Sequence, residues 1–221
     1  MNDDTMAALR VIAIDGPAGS GKSTIGRRLA THLGLEYLDT GAMYRSVAFL
    51  AIQQGVDPED AAAVAGLARA MELVVSNGNV RVNGIDASVE IRGPEVTRAV
   101  SVVAANPDVR VEMRARQRLW ALERGGGVIE GRDIGSVVFP DAVVKVYLTA
   151  SPEERARRRA QEMTDLEFDQ VASDLARRDA RDENRADSPL HAASDADVVD
   201  TTGLGIDEVV ERISALVDER S

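Results

Sequence analysis

The run Gly16-Pro17-Ala18-Gly19-Ser20-Gly21-Lys22-Ser23-Thr24 constrains this chain more than any other stretch of it. It matches G-x-x-x-x-G-K-S/T, a pattern that average residue usage yields by chance on the order of one time in a hundred in a chain of this length. The flanks agree with it. Val11 to Asp15 is a short apolar run that predicts a buried strand, and Ser23 to Leu33 carries apolar residues at helical spacing. Strand, glycine-rich turn and helix together make a phosphate loop. Glycines at 16, 19 and 21 let backbone N–H groups point inward at phosphate oxygens, and the helix start adds its positive dipole end. Lys22 is placed to reach the β- and γ-phosphates of a nucleoside triphosphate. The Ser23 hydroxyl is offered to the Mg²⁺ that bridges them.

Further short runs, Gly127 to Glu130, Val143 to Leu148 and Asp197 to Asp200, predict more buried strands separated by helical patterns. This alternation predicts an α/β fold with a doubly wound parallel sheet in a single domain over 1–221. Two stretches break it. Leu73 to Val89 sets β-branched residues around Asn77-Gly78 and Asn83-Gly84, which predicts a small hairpin inside an insertion over about 60–105. Ser151 to Pro189 is charged and Arg-rich, helical in composition and poor in apolar anchors, which predicts a mobile lid over about 151–190. The first ten residues are expected to be disordered.

Composition removes whole classes of function. With no cysteine, disulfide scaffolds, thiolate metal sites and thiol redox chemistry are excluded. A net charge of −11 argues against nucleic-acid binding by counterion release. No apolar run approaches the roughly 18 residues of a membrane span, and the start of the chain is acidic where a secretory signal is basic, so a cytoplasmic protein without membrane partners is expected. Of 26 basic side chains only Lys22 and Lys145 are lysine. Arginines cluster at 110–118, 155–159 and 177–185, and their planar forks suit phosphate, although many also fit solvated helix faces.

A phosphate loop does not say what receives the phosphate. After the first helix, Tyr37-Leu38-Asp39-Thr40-Gly41-Ala42-Met43-Tyr44-Arg45 runs from a strand end into a second helix, on which Thr40, Tyr44 and Arg45 share one side. IDGPAGSGKST followed by YLDTGAMYR resembles the bacterial cytidylate kinases of the nucleoside monophosphate kinase superfamily. The likeness continues in family order through IRGPEVTRAVSVVAANPDVR, RQR, GRDIGSVVFPDAVVKVYLTAS, EERARRR and RRDARDENRADSPL, nearly the whole chain.

The resemblance implies a P-loop kinase: a central parallel sheet flanked by helices, an inserted acceptor-binding subdomain and a helical lid. It implies ATP and Mg²⁺ as cofactors, CMP and dCMP as acceptors, and a monomer. Arg45 and Arg132 are expected to hold the acceptor phosphate, which physics also requires, because a dianion facing the ATP tail needs cations between them. The cytosine is expected to meet Ser101, Arg110 and a carboxylate, either Asp133 or Asp182. Asp182 with Arg185 fits the ribose hydroxyls equally. Asp133 is alternatively free to orient Arg132 or to reach Mg²⁺ through water. From the lid, Arg155, Arg158, Arg159, Arg178 and Arg181 are the candidates for the transferring phosphoryl group. Another small-molecule kinase, of adenylate, shikimate or gluconate type, is the alternative. A nucleotide switch is disfavoured by the lack of a guanine-reading NKxD text.

Overall fold

The computed structural model describes residues 9–76, 78–162 and 167–220, so the expectations for the first eight residues and for Asn77 lie outside the described residues, while Leu9, expected to be disordered, is buried and Arg10 opens the first strand. The chain divides into two compact units, Met1–Glu36 with Arg124–Ser221, and Tyr37–Glu123.

In the first unit, β1 (Arg10–Asp15), β6 (Gly126–Gly131), β7 (Val144–Thr149) and β8 (Asp197–Asp200) lie in the order β6-β1-β7-β8. All pair parallel, with Asp15 opposite Gly131 on one side and Tyr147 on the other. Val11 to Ile14 and all of β6 are buried, as strands between helical layers must be. Helices α1 (Lys22–Leu33) and α8 (Ile206–Arg220) pack against each other and onto β6 and β7 respectively. Since the strands are parallel, Asp15, Gly131, Thr149 and Asp200 all end on one edge, where open α/β sheets bind ligands.

The Arg-rich segment forms α6 (Pro152–Glu162) and α7 (Phe168–Glu183). It is better anchored than its charge implies. Ala156, Val171 and Leu175 are buried together, and Ala18 of the phosphate loop packs on them with Ala160 and Ala172. The anchor sets alanines one helical turn apart, 156 and 160, against Val171 and Leu175, which composition alone hides.

The second unit holds β2 (Tyr37–Asp39), α2 (Thr40–Gln53), α3 (Ala61–Ala70), β3 (Leu73–Ser76), β4 (Asn79–Val82), β5 (Ile85–Asp86), a 3₁₀ turn (Glu90–Arg92), α4 (Pro94–Ala105) and α5 (Pro107–Arg124). The expected hairpin is there, with a third strand: β3-β4-β5 is antiparallel, and Asn83 (φ 49°) and Gly84 (φ 78°) make the left-handed turn before β5. The unit runs from Tyr37 to Glu123. Helix α2 packs on α4, and Arg116 of α5 donates to the Ala68 carbonyl in the last turn of α3 (3.2 Å) and to the Met71 carbonyl just past it (3.0 Å).

Candidate active site

Each side chain is set by the unit that carries it. In the first unit β1 ends at Asp15 and the chain turns through Gly16 and Gly19, both at positive φ. A β-carbon on Gly16 would lie 2.0 Å from the Leu148 carbonyl oxygen, and one on Gly19 2.8 Å from that of Arg155. The sequence has no other residue that fits either place. Gly21, also left-handed, caps α1. Lys22 starts that helix, is buried, and donates to the Pro17 carbonyl at 2.6 Å, with the Ser20 hydroxyl 3.5 Å away. Burial, then the neighbouring Arg132 charge, brings its ammonium down to about 7, against the pull of Glu130 and Asp15. An ammonium so poised gains most when a phosphate arrives.

Ser23 donates its hydroxyl to Glu130 Oε1 at 2.7 Å. Glu130, in buried β6, is a functional candidate that the sequence reading missed. So is Asp15, whose buried carboxylate accepts from the amides of Ile134 and Gly135, both at 2.8 Å. Each reads in sequence as the polar end of a core strand. Only the parallel pairing of β1 with β6 brings their ends to one edge.

Arg132 leaves the end of β6. Its Nη1 donates to the Gly16 carbonyl and its Nε to Asp182 Oδ2, each at 2.9 Å. Burial alone would lift Asp182, yet Arg132, with Arg185 and Arg178 behind it, holds the carboxyl below its ordinary value. Arg185 lies 3.8 Å from Asp182 and donates to the Ser188 carbonyl at 2.7 Å. Asp133 is buried, and its carbonyl accepts from Val137 (2.9 Å) and Val138 (3.2 Å) in the π-helical turn Ile134–Val138.

Of the lid candidates, Arg155 donates to the Ala18 carbonyl (3.2 Å) and pairs with Asp179. Arg158 donates to the Thr201 hydroxyl (2.8 Å), the Thr201 carbonyl (2.7 Å) and, more weakly, the Ser20 carbonyl (3.4 Å). These two therefore brace the phosphate loop. Arg178 is half-buried, and burial plus the Arg132 charge bring its guanidinium down to about 10. Arg159 is half-buried near it, while Arg181 is exposed.

In the second unit Asp39 caps α2, accepting from Ala42 N at 2.9 Å, and its other oxygen meets Arg92 at 3.3 Å. Thr40 and Tyr44 are buried on the helix it starts. Arg45 donates to the Thr97 hydroxyl (2.9 Å) and the Ile91 carbonyl (3.3 Å). Arg110, only 1% exposed, has its guanidinium 6.0 Å from the centre of the Tyr44 ring. Ser101 is half-buried on α4. Thr40, Tyr44, Arg45 and Arg110 are thus held by one unit, and the phosphate loop, Arg132, Asp133, Asp182 and Arg185 by the other.

No helix among the described residues is long and apolar enough to cross a membrane. Nor do they hold a cluster of three His, Cys, Asp or Glu that could bind a metal ion.

The family model described as cytidylate kinase matches residues 12–219. A cytidylate kinase of Mycobacterium leprae is 49% identical over 215 residues, covering 96% of each chain. Those of Corynebacterium glutamicum (46% identical, 94% of each chain) and Shouchella clausii (49% identical, 95% of this chain and 96% of that one) are similar over the same extent. Among solved structures, an uncharacterised protein of Eubacterium ventriosum superposes with a TM-score of 0.57 over 95% of this chain and 99% of that one. At 12% identity it shows the fold alone.

Proposed function

The chain belongs to the cytidylate kinase family, and from that premise we propose that it transfers the γ-phosphoryl group of ATP to CMP and dCMP, giving CDP and dCDP. The observation that carries this reading is the bond from Arg132 Nη1 to the Gly16 carbonyl at 2.9 Å, which sets a guanidinium on the phosphate loop itself. A cation there offsets the repulsion between the ATP tail and a dianionic acceptor, and it stays to stabilise charge as the phosphoryl group moves.

The backbone N–H groups of the loop from Ala18 to Thr24 bind the triphosphate, and Lys22 bridges its outer phosphates. Ser23 and Glu130 are hard oxygen donors in mutual contact, which suits Mg²⁺, an ion that takes one or two protein ligands and completes its shell from phosphates and water. When bound there, Mg²⁺ neutralises charge on the transferring phosphates.

On the acceptor side Arg45 and Arg132 take the phosphate, while Ser101 and Arg110 meet cytosine. Cytosine has a donor at its 4-amino group and acceptors at N3 and O2, so it also needs one carboxylate. Asp182 is engaged with Arg132 and Arg185. That supports giving Asp182 and Arg185 the ribose and Asp133 the base. The acceptor oxygen is already a nucleophile and requires no histidine. Arg178 and Arg159 remain the lid groups best suited to the transferring phosphoryl. Lid closure excludes water, which would otherwise accept the phosphate.

An adenylate- or shikimate-type kinase gains no support from relatives that are named cytidylate kinases. The chain is read as a monomer acting in the cytoplasm on small nucleotides, without nucleic-acid or membrane partners, in keeping with its charge of −11. A coupled assay of ADP release against a panel of acceptors tests the assignment. Selective turnover of CMP and dCMP is expected.

A further inference from the structure

Asp15 has no part in the mechanism just given, yet it is among the most tightly placed charges in the molecule. It is 6% exposed, and each carboxylate oxygen accepts one backbone N–H, from Ile134 and Gly135, at 2.8 Å. Those amides open the π-helical turn Ile134–Val138, where helical geometry provides no partner for them. A carboxylate from a strand 119 residues earlier supplies it. The turn directly follows Arg132 and Asp133. The residue after Asp15, Gly16, accepts the Arg132 guanidinium at 2.9 Å. The dipeptide Asp15-Gly16 therefore grips the Arg132 segment at two points, its side chain by a backbone carbonyl and its backbone by a side chain. On the far side the turn is closely packed, since a β-carbon on Gly135 would lie 3.1 Å from Lys145 Cγ.

We infer that Asp15 is a positioning residue for phosphoryl transfer: by holding the Ile134 and Gly135 amides it joins the mount of Arg132 to the entry of the phosphate loop as one rigid piece. The inference rests on the reading of Arg132 as the acceptor-phosphate arginine. A displacement of about 1 Å in such a group is enough to cost on the order of a hundredfold in rate. A single carboxylate spanning both segments removes that freedom. π-helical turns are rare and concentrate at functional sites, and here each of the two amides takes its own oxygen of one buried carboxylate.

The grip depends on charge. Burial, partly offset by the two amides, raises the Asp15 carboxyl to about 6, and the groups that face it are Asp133 from the turn, Lys22 from α1 and Tyr147 from β7. Protonation turns one acceptor oxygen into an O–H, which then opposes a backbone N–H. The mount therefore loosens as pH falls through about 6.

The experiment is a double-mutant cycle on the full chain: wild type, Asp15→Asn, Arg132→Ala and the double variant, with kcat measured at saturating ATP and CMP. Because the acceptor phosphate itself titrates near pH 6, the acid limb is compared between wild type and Asp15→Asn rather than read alone. Asp15→Asn is expected to lower kcat by about tenfold or more with KM for ATP nearly unchanged, and to flatten the acid limb. In the Arg132→Ala background the same change is expected to cost less than about twofold. Equal losses in both backgrounds, or a wild-type kcat in Asp15→Asn, overturn the inference. If Asp15→Asn does not fold, hydrogen exchange at the Ile134 and Gly135 amides of the wild type decides between about pH 5 and about pH 7, after correction for the intrinsic rate. Protection lost on the acid side supports the grip, and unchanged protection refutes it. A wild type that turns over no CMP instead overturns the kinase reading, and the exchange result still judges the grip.

Discussion

Asp182, on α7, accepts the Nε–H of Arg132 at 2.9 Å while the same guanidinium donates to the Gly16 carbonyl. Helix α7, the end of β6 and the phosphate loop thus meet at one arginine. Asp182 is 14% exposed and Arg132 19%, so solvent screens the pair little.

Asp182→Ala is expected to weaken CMP binding by about tenfold or more and ATP binding much less, because the carboxylate orients Arg132, the arginine proposed for the acceptor phosphate, and its loss leaves buried donors without an acceptor. Isothermal titration with each nucleotide checks this. Equal losses for both contradict the assignment. Since the Asp182 carboxyl is held below its ordinary value, the pair stabilises the fold at neutral pH and is lost only as pH falls through that lowered value.

Lys22→Ala is expected to lower kcat by about a hundredfold or more while leaving CMP affinity within about threefold, since its ammonium lies on the phosphate loop. Steady-state kinetics together with CMP titration separates the two. Unchanged turnover refutes the role.

Binding of ATP is expected to take up a proton above neutral pH. Burial first, then Arg132, brings Lys22 down to about 7. Near pH 8 it is therefore mostly neutral in the free protein, and incoming phosphates favour its charged form. Titrations in two buffers of different ionisation enthalpy should show uptake approaching one proton, absent in Lys22→Ala. Without nucleotide the same lowering means that the unfolded chain binds more protons than the fold between about 7 and the ordinary lysine value, so this group's contribution to stability rises with pH across that window.

Arg158→Ala is expected to raise KM for ATP several-fold and to destabilise the protein by about 1–3 kcal/mol, leaving KM for CMP little changed, because it removes the donors to both oxygens of Thr201. Thermal melts and nucleotide-resolved kinetics measure both effects. An unchanged melt with lost kcat would instead make Arg158 a group of the transition state.

Much of this was legible in the sequence. The strand, loop and helix around Gly16 to Leu33 follow from glycine spacing and apolar period, and Asn83-Gly84 marked its own turn. Asp15 and Glu130 were not legible as site residues. Each is the polar residue that closes an apolar run, and their partners, Ile134 with Gly135 and Ser23, lie more than a hundred residues away in sequence. The bracing by Arg155 and Arg158 was equally hidden, since an Arg-rich helix reads the same whether its side chains face water or backbone carbonyls. The anchor of α6 and α7 escaped notice because alanines at 156, 160 and 172 carry little weight in any apolar count, yet they close on Val171 and Leu175.

The most direct test is ADP release in a coupled assay with ATP, Mg²⁺ and, separately, CMP, dCMP, UMP, AMP, GMP and shikimate. Turnover selective for CMP and dCMP is the predicted result. Faster turnover of AMP or shikimate would keep the phosphate loop but contradict the roles given to Ser101, Arg110, Asp182 and Arg185, and no turnover with any acceptor would contradict the kinase itself.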